Sequence, residues 1–216
     1  MPVRKIPKNY RNVTGVSPHR KAVGEAQYES TLERDFLTLL EFDPNVESFE
    51  VQPVTIEWKG ANRKKRRYTP DALVHYKHGI AEPILYEVKY RKELKKKWPE
   101  LRPVFKAAIH YTKEHGWRFK LITDTEIRTT YLSNARFLLP FVRRGPQSEE
   151  HMEMLADKLQ EQHQSTPGQL LKSIFQDEWH QAELLPTLWY LIGTRQIFVD
   201  MNQPLTMTSV IRAVKA

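Results

Sequence analysis

The sequence contains no cysteine among its 216 residues, which excludes disulfide bonds and zinc sites with cysteine ligands. Disulfides belong to oxidising compartments, so their absence fits an intracellular protein. Long apolar runs are also missing. The longest, around residues 184–192, is broken by Pro186 and Thr187 and falls short of the roughly 20 residues that span a bilayer. The basic N-terminus lacks the apolar segment of a secretory signal, so we expect an intracellular globular chain.

Acidic residues are outnumbered by basic residues in the first two thirds of the chain. Residues 1–145 carry 29 Lys and Arg against 17 Asp and Glu, a net charge of +12, whereas residues 146–216 carry 5 against 9, a net charge of −4. Clustered cations attract phosphate groups, which makes the first part the candidate for nucleic-acid binding. The charge changes sign near Gly145-Pro146, a pair that interrupts a helix. We therefore predict one domain over 1–145, with a basic arm at its start, and a second over 146–216.

Apolar patterning predicts an α/β structure for the first part and a mostly helical one for the second. The first part has predicted helices over 26–42 and 99–115, and predicted strands within 46–58 and at 68–76, 84–89 and 117–122. The second part has predicted helices over 148–163, from Thr166-Pro167 onward and up to about 192, then a hairpin of 196–199 and 205–210. Three helices followed by a hairpin are typical of a winged-helix domain.

Two acids on neighbouring predicted strands form the most informative pattern. Asp71 follows Pro70 at the start of one strand and Glu87 lies near the end of the next, so antiparallel pairing brings their carboxylates together. Lys89 shares the face of Glu87, because strand side chains alternate; the carbonyl of Val88 can also reach a metal. Mg²⁺ prefers oxygen ligands and can activate water, and an ammonium can orient that water, help to deprotonate it or stabilise developing charge. The pattern predicts a metal-dependent phosphodiesterase.

Alternative interpretations of these acids stay open. Glu87 and Lys89 can form an ordinary surface ion pair, although the Pro-Asp pair, the apolar hairpin and the basic surroundings favour a nuclease site. Glu33, on the helix over 26–42, is the third candidate acid. It either projects towards the metal or closes a capping box with Ser30, and its sequence context favours neither interpretation.

Two basic runs flank the candidate strands. They comprise Arg63, Lys64, Lys65, Arg66 and Arg67 in a turn, and Arg91, Lys92, Lys95, Lys96 and Lys97 at a helix start. Both runs fit a solvated surface, but their position beside the acids favours contact with DNA. Trp98, after the second run, either stacks on a base or joins the core.

Residues 1–23 form either a DNA-contacting arm or a disordered tail, and their cations are Arg4, Lys5, Lys8, Arg11, Arg20 and Lys21.

Five segments occur in a diagnostic order along the chain. They are Glu29-Ser30-Thr31-Leu32-Glu33-Arg34-Asp35-Phe36, Tyr68-Thr69-Pro70-Asp71, Glu87-Val88-Lys89, Arg195-Gln196-Ile197 and Asn202-Gln203-Pro204-Leu205-Thr206. Together they resemble the TnsA family, the endonuclease subunits of heteromeric bacterial transposases. The resemblance covers nearly the whole chain, and its motifs are ordered and spaced as in the family.

This resemblance implies a restriction-endonuclease-like PD-(D/E)xK core followed by a winged-helix domain, and it implies catalytic positions for Glu33, Asp71, Glu87 and Lys89. It favours the metal over the cap as the partner of Glu33. Glu87 occupies the family's glutamine-or-glutamate position, so the site carries three acids. The implied reaction is Mg²⁺-dependent cleavage of the 5′ ends of a transposon in the bacterial cytoplasm, with Mn²⁺ as a substitute. The implied partners are transposon-end DNA, a TnsB-like DDE transposase that cuts and joins the 3′ ends, and a TnsC-like ATPase, with no role for a membrane.

The predicted recognition helix of the second domain, over 180–192, has no Lys or Arg. Contact with a TnsB-like or TnsC-like protein is therefore favoured over base readout, although most of its apolar residues also suit the domain's own core. Arg195 and Arg212 stay candidates for phosphate contact. Two other functions stay open. One is a stand-alone restriction or junction-resolving nuclease, which the acidic second domain disfavours. The other is a non-catalytic DNA-binding adaptor, which the presence of all the site residues disfavours.

Overall fold

A computed structural model of the chain describes residues 15–16, 19–59 and 64–214. The chain divides into two compact units, Met1–Arg128 and Thr129–Ala216. The division precedes the Gly145-Pro146 junction expected from the charge, because a helix over Thr130–Arg144, which the sequence patterns did not predict, packs within the second unit. None of the helices in the described part of the chain is both long and apolar enough to span a membrane.

The first unit is a mixed α/β structure, as predicted. Its elements are β1 (Gly15–Val16), β2 (Gln27–Tyr28), α1 (Thr31–Phe42), β3 (Val46–Val51), β4 (Ile56–Lys59), β5 (Lys65–Tyr68), β6 (Ala72–Tyr76), β7 (Ile84–Lys89), α2 (Arg91–Lys96), α3 (Trp98–Glu114), β8 (Arg118–Thr123) and α4 (Asp124–Ile127). The main sheet has the order β3-β6-β7-β8. Its first three strands are antiparallel, whereas β7 and β8 run parallel. A parallel pair needs a long crossover, which α2 and α3 supply.

The single strand predicted over 68–76 is in fact two strands. β5 ends at Tyr68 and pairs with β4, whereas β6 begins at Ala72 and pairs with β3 and β7. Pro70 lies in the break, and proline has no N–H to donate to a strand ladder. The predicted hairpin of β6 and β7 is confirmed, with Ala72 opposite Tyr86. Asp71 consequently lies between two sheets, directly before β6.

Helix α1 begins at Thr31, later than the predicted start at residue 26. Ser30 is its N-cap and accepts a hydrogen bond from the Glu33 N–H, while Gln27 and Tyr28 form a short strand paired with β1. The buried face of the helix includes Phe36, whose ring centroid lies 5.0 Å from that of Tyr86 in β7. Helix α1 therefore covers the face of the sheet that carries Tyr86.

The opposite face of the sheet packs against α3. Leu73 and Leu85 lie directly opposite each other in β6 and β7, and they form a buried cluster with Ile56 and with Ala108 of α3. Because strand side chains alternate, residues 71 and 87 continue the same face beyond these leucines. An apolar floor thus gives way to charged groups at one end of the two strands.

The second unit is mostly helical. Its elements are α5 (Thr130–Arg144), α6 (Glu149–Gln162), β9 (Gln164–Ser165), α7 (Pro167–Ile174), α8 (Glu178–Gly193), β10 (Ile197–Val199) and β11 (Ile211–Ala213). The strands form one antiparallel sheet in the order β10-β11-β9. The strand predicted over 205–210 is wrong, because Thr206 to Ser209 form a turn and pairing with β10 begins only at Ile211.

Candidate active site

The backbone holds Asp71 firmly at the junction of the two sheets. Its N–H donates to the Tyr86 carbonyl at 3.1 Å, and its own carbonyl accepts from the Gln52 N–H at 2.9 Å. Its carboxylate accepts from the Val88 N–H at 2.6 Å. These bonds to the neighbouring strand and loop keep the Asp71 side chain beside Glu87, so the predicted meeting of the two acids is observed.

The ammonium of Lys89 lies at the centre of a cluster formed with the Asp71 and Glu87 carboxylates and the Val88 carbonyl. Its Nζ lies 2.7 Å from Glu87 Oε1 and 3.9 Å from Asp71 Oδ2, and it donates to the Val88 carbonyl at 3.1 Å. The side chains of Lys89, Asp71 and Glu87 are 25%, 17% and 4% exposed. Glu87 and Lys89 are thus largely withdrawn from solvent, unlike the partners of an ordinary surface ion pair.

The electrostatics of the cluster reflect one ammonium facing two largely buried carboxylates. Burial raises the pKa of Asp71, and the adjacent Glu87 raises it further. Burial opposes the charged form of Lys89, but the carboxylates of Asp71 and Glu87 outweigh burial and raise its pKa. Ionising both carboxylates would therefore leave more negative than positive charge at this point, and a bound metal cation would relieve that imbalance.

Tyr68 is a further candidate site residue, which the sequence patterns did not single out. Its hydroxyl donates a hydrogen bond to Glu87 Oε2, so both oxygens of Glu87 are engaged, one by Tyr68 and one by Lys89. Burial and the nearby Glu87 raise the pKa of Tyr68, which keeps the hydroxyl a donor. Tyr68 belongs to the Tyr-Thr-Pro-Asp motif. The sequence around it does not predict the pairing of β5 with β4, and this pairing brings Tyr68 to Glu87.

Glu33 supports the N-cap residue Ser30 of helix α1, and it also lies within electrostatic range of Asp71. Its carboxylate accepts from the Glu29 N–H at 2.7 Å and from the Ser30 hydroxyl at 2.8 Å. The pKa of Glu33 is raised to about 7, first by burial and then by the charge of Asp71. The capping contact and an electrostatic link to the candidate site therefore coexist.

The donor set suits a hard divalent cation. Two carboxylates and the Val88 carbonyl offer only oxygen atoms, and all three already face one cation, the Lys89 ammonium. Within the described residues, no three His, Cys, Asp or Glu side chains are grouped as a metal site. Mg²⁺ commonly uses one or two carboxylates and completes its shell with waters and substrate phosphates, so these residues fit it.

The described members of the two basic runs lie on exposed surface next to the cluster. Lys64 precedes β5 and Lys65, Arg66 and Arg67 lie within it, where Arg67 pairs with Glu57 at 2.7 Å; Arg63 lies outside the described residues. Helix α2 follows β7 almost directly and buries none of its residues. Its exposed cations, with the adjoining Lys97, are Arg91, Lys92, Lys95, Lys96 and Lys97. One run therefore leads into Tyr68 and the other leads away from Lys89.

The predicted basic arm overlaps the folded structure at its end. Residues 1–14 and 17–18, with Arg4, Lys5, Lys8 and Arg11, lie outside the described residues. The backbone N–H groups of Arg20 and Lys21 donate to the Glu41 carboxylate at 3.0 and 3.1 Å, and the Lys21 ammonium donates to the Asp43 carbonyl. Lys21 is therefore engaged within the first unit, and contact of the arm with DNA stays a prediction.

Within the second unit, the two candidate phosphate-binding arginines make internal hydrogen bonds. Arg195 donates to the Tyr131 hydroxyl at 2.7 Å, and Arg212 donates to the Gln164 side chain at 3.0 Å. Helix α8 buries most of its apolar residues in the unit's own core, including Leu184 and Leu188, which have no exposed surface.

Comparison with known proteins follows the same division of the chain. The family model for the TnsA-like endonuclease N terminal domain matches residues 43–124, and that for the TnsA endonuclease C terminal domain matches residues 126–201. The first match contains Asp71, Glu87 and Lys89, whereas Glu33 precedes it. No curated protein matches the chain.

Proposed function

The chain belongs to the TnsA-like endonuclease family, and we propose that it is the metal-dependent DNA endonuclease that cuts the 5′ ends of a transposon beside a partner transposase. One observation carries this proposal. The oxygen atoms of Asp71, Glu87 and Val88 converge on a single ammonium at the end of a buried hairpin. Oxygen donors and a lysine at one point are what metal-assisted phosphodiester hydrolysis requires.

The proposal includes a PD-(D/E)xK core in the first unit and a winged helix in the second. The core assignment is supported by the hairpin of β6 and β7 with β8 parallel beside it, and by the position of the acids at the strand ends. The winged-helix assignment is supported by the succession α6, β9, α7, α8, β10 and β11, with strand order β10-β11-β9.

In this mechanism Asp71, Glu87 and the Val88 carbonyl would hold Mg²⁺ or Mn²⁺, with Glu33 close enough to add charge. The ion would supply charge compensation for the phosphate and a more acidic bound water. The Val88 N–H holds the Asp71 carboxylate in place, and Tyr68 orients Glu87. The neighbouring carboxylates keep Lys89 protonated, which favours stabilisation of charge on the phosphate over removal of a proton from water.

The proposed partners are transposon-end DNA, a TnsB-like DDE transposase and a TnsC-like ATPase. Exposed cations on β5 and α2 support the DNA contact, because phosphate attraction depends on clustered positive charge. The start of α8 supports a protein contact instead. Trp179 there is 84% exposed, and it lies between Glu178 and His180 in a helix without Lys or Arg. Exposed aromatic residues are enriched in protein interfaces.

Cleavage of a transposon-end duplex in Mg²⁺, with and without the TnsB-like partner, tests the proposal. We expect cutting at the 5′ ends only when the partner is present, and its loss in Asp71→Ala. Glu47→Gln, on exposed surface of β3, is the control and should cut normally. Cutting without the partner would favour a stand-alone nuclease. No cutting by either the native chain or Asp71→Ala would favour a DNA-binding adaptor.

A further inference from the structure

An open groove of about 580 Å³ lies on the first unit beside the candidate site. Its lining residues come from α2, the start of α3 and the end of β8, and they are Arg91, Leu94, Lys95, Trp98, Leu121 and Thr123. The floor is apolar, and exposed cations stand at the rim. Trp98 leans on the core through Phe105, at 6.1 Å between ring centroids, yet 45% of its surface is exposed.

Strand register places this groove next to the acids. In the parallel pair of β7 and β8, Glu87 lies opposite Leu121 and Lys89 lies opposite Thr123. Residues directly opposite in neighbouring strands project from the same face, and the strands are about 4.8 Å apart. The groove therefore opens on the face that carries Glu87 and Lys89, one strand away.

The positive charge at the rim of the groove indicates which class of molecule binds there. Helix α2 and the adjoining Lys97 present five cations and one acid, Glu93, and the cations are exposed to solvent. A polyanion complements this rim better than an apolar protein segment does. The exposed face of Trp98 adds a surface on which a flat ring can stack. An aromatic platform beside a cationic track is how proteins hold the bases and phosphates of single strands.

We propose that the groove holds one unstacked base of the DNA strand whose backbone passes the candidate site. This inference rests on the proposed function, since it assigns the groove to the same substrate. Arg91 and Lys95 contact the flanking phosphates, and Trp98 stacks on the base. A base within a fully paired, stacked duplex cannot enter, so the groove favours DNA that is unpaired beside the cut.

Binding in EDTA tests the groove without requiring cleavage. The full chain is titrated with a duplex that ends in one unpaired 2-aminopurine, and with the same duplex fully paired. We expect the unpaired substrate to bind about tenfold more tightly, in line with the stacking of one base on an aromatic side chain. Stacking should also change the 2-aminopurine fluorescence.

Three variants assign the effect to the ring. Trp98→Leu should remove both the preference and the fluorescence change, whereas Trp98→Phe, which keeps a ring and the contact with Phe105, should retain most of each. Phe198→Leu, at an exposed aromatic residue of the second unit, is the control and should change neither.

Equal affinity for the two substrates, equal weakening of both by Trp98→Leu, or no DNA binding at all would overturn the inference. Trp98-dependent binding of an apolar peptide, with no Trp98-dependent binding of DNA, would also overturn it. The binding test of the groove and the cleavage test of the proposed function can fail independently. Asp71-dependent cleavage without a base preference would defeat only the groove, and a base preference without cleavage would defeat only the nuclease.

Discussion

The two units of this chain use buried polar groups differently. Met1–Arg128 carries 26 Lys and Arg against 17 Asp and Glu, whereas Thr129–Ala216 carries 8 against 9. Among the described residues, the first unit buries three carboxylates, those of Asp35, Glu41 and Glu87, while the second buries only neutral polar side chains. Buried charge costs stability unless it is paired. The pKa values of Asp71 and Glu33 are both raised by burial, so the first unit has an electrostatic cost at its candidate site when these carboxylates are charged.

A buried asparagine shows how the second unit satisfies its polar groups. The Asn134 amide donates to the carbonyls of Met201 and Gln203 at 3.0 and 2.8 Å, and its oxygen accepts from the Leu205 N–H at 3.1 Å. These bonds pin the Asn-Gln-Pro-Leu-Thr segment that helped to reveal the family resemblance. A motif in the second unit thus has a structural explanation, whereas the motifs of the first unit converge on candidate chemistry.

We expect the largest effect from Asp71→Asn, which tests whether the buried polar groups of the first unit serve chemistry and not only structure. Losing a carboxylate from the proposed metal set should reduce Mg²⁺-dependent cleavage by roughly 10³-fold or more, because the bound ion supplies several kcal/mol of charge stabilisation. Asparagine still accepts from the Val88 N–H, so thermal stability without metal should be equal or higher. Cleavage within tenfold of the native rate, measured at saturating Mg²⁺, would break the contrast.

In the second unit, Leu188→Ala should affect stability alone. Leu188 is fully buried in α8, so the cavity should lower the free energy of unfolding by roughly 2–5 kcal/mol. Below the unfolding temperature, the cleavage rate per folded molecule should stay unchanged. Leu185→Ala, on the same helix but partly exposed, is the control and should cost less. A change in the Mg²⁺ dependence of cleavage caused by Leu188→Ala would contradict the separation of roles.

The pH dependence of stability should identify the electrostatic cost of the first unit. The pKa of Glu33 is raised from 4.5 to about 7 in the folded protein, and that of Asp71 is raised as well. The folded chain then holds protons that the unfolded chain releases. The contribution of these two groups to stability without metal should be fully present below about pH 4.5 and should fall, by roughly 1–3 kcal/mol, as the pH rises through about 7.

Mg²⁺ should reverse this trend, since its binding expels the same protons. Melting temperatures from about pH 5 to about pH 8, with and without Mg²⁺, would measure both effects. Glu33→Gln should reduce the pH dependence without metal and leave the part that comes from Asp71. A metal-free melting temperature that rises across this window would contradict the assignment.

The smallest expected effect concerns Tyr68→Phe, which removes only the hydroxyl that orients Glu87. We expect cleavage to fall about tenfold, as for loss of one hydrogen bond to a charged group, with a higher Mg²⁺ concentration needed for half-maximal rate. Tyr76→Phe is the matched control, because its hydroxyl contacts Tyr86 at 2.8 Å away from the carboxylates. Equal effects of both variants would reduce Tyr68 to a general packing role.

Much of the first unit follows from local pattern. The hairpin of β6 and β7 and the convergence of Asp71, Glu87 and Lys89 depend on period-two alternation and on a short connection, both of which are visible in the sequence. The helices of the second unit follow from apolar periodicity and from caps such as Thr166, whose hydroxyl accepts from the Gln169 N–H at 3.2 Å. Helix α5 and the boundary before it were missed, because the change of charge lies at the end of that helix and not at its start.

By itself, the sequence determined the family, the mixed α/β character of the first unit and the meeting of two acids and a lysine at one strand end. Only the tertiary structure decided that Tyr68 orients Glu87, that Glu33 contacts the N-cap residue Ser30 within electrostatic range of Asp71, and that Trp98 borders an open groove beside Lys89. The physical reason is the range of the interactions. Alternation and caps act within a few residues, whereas the pairing of β5 with β4 and the crossover to β8 bring together residues whose sequence neighbours carry no sign of the contact.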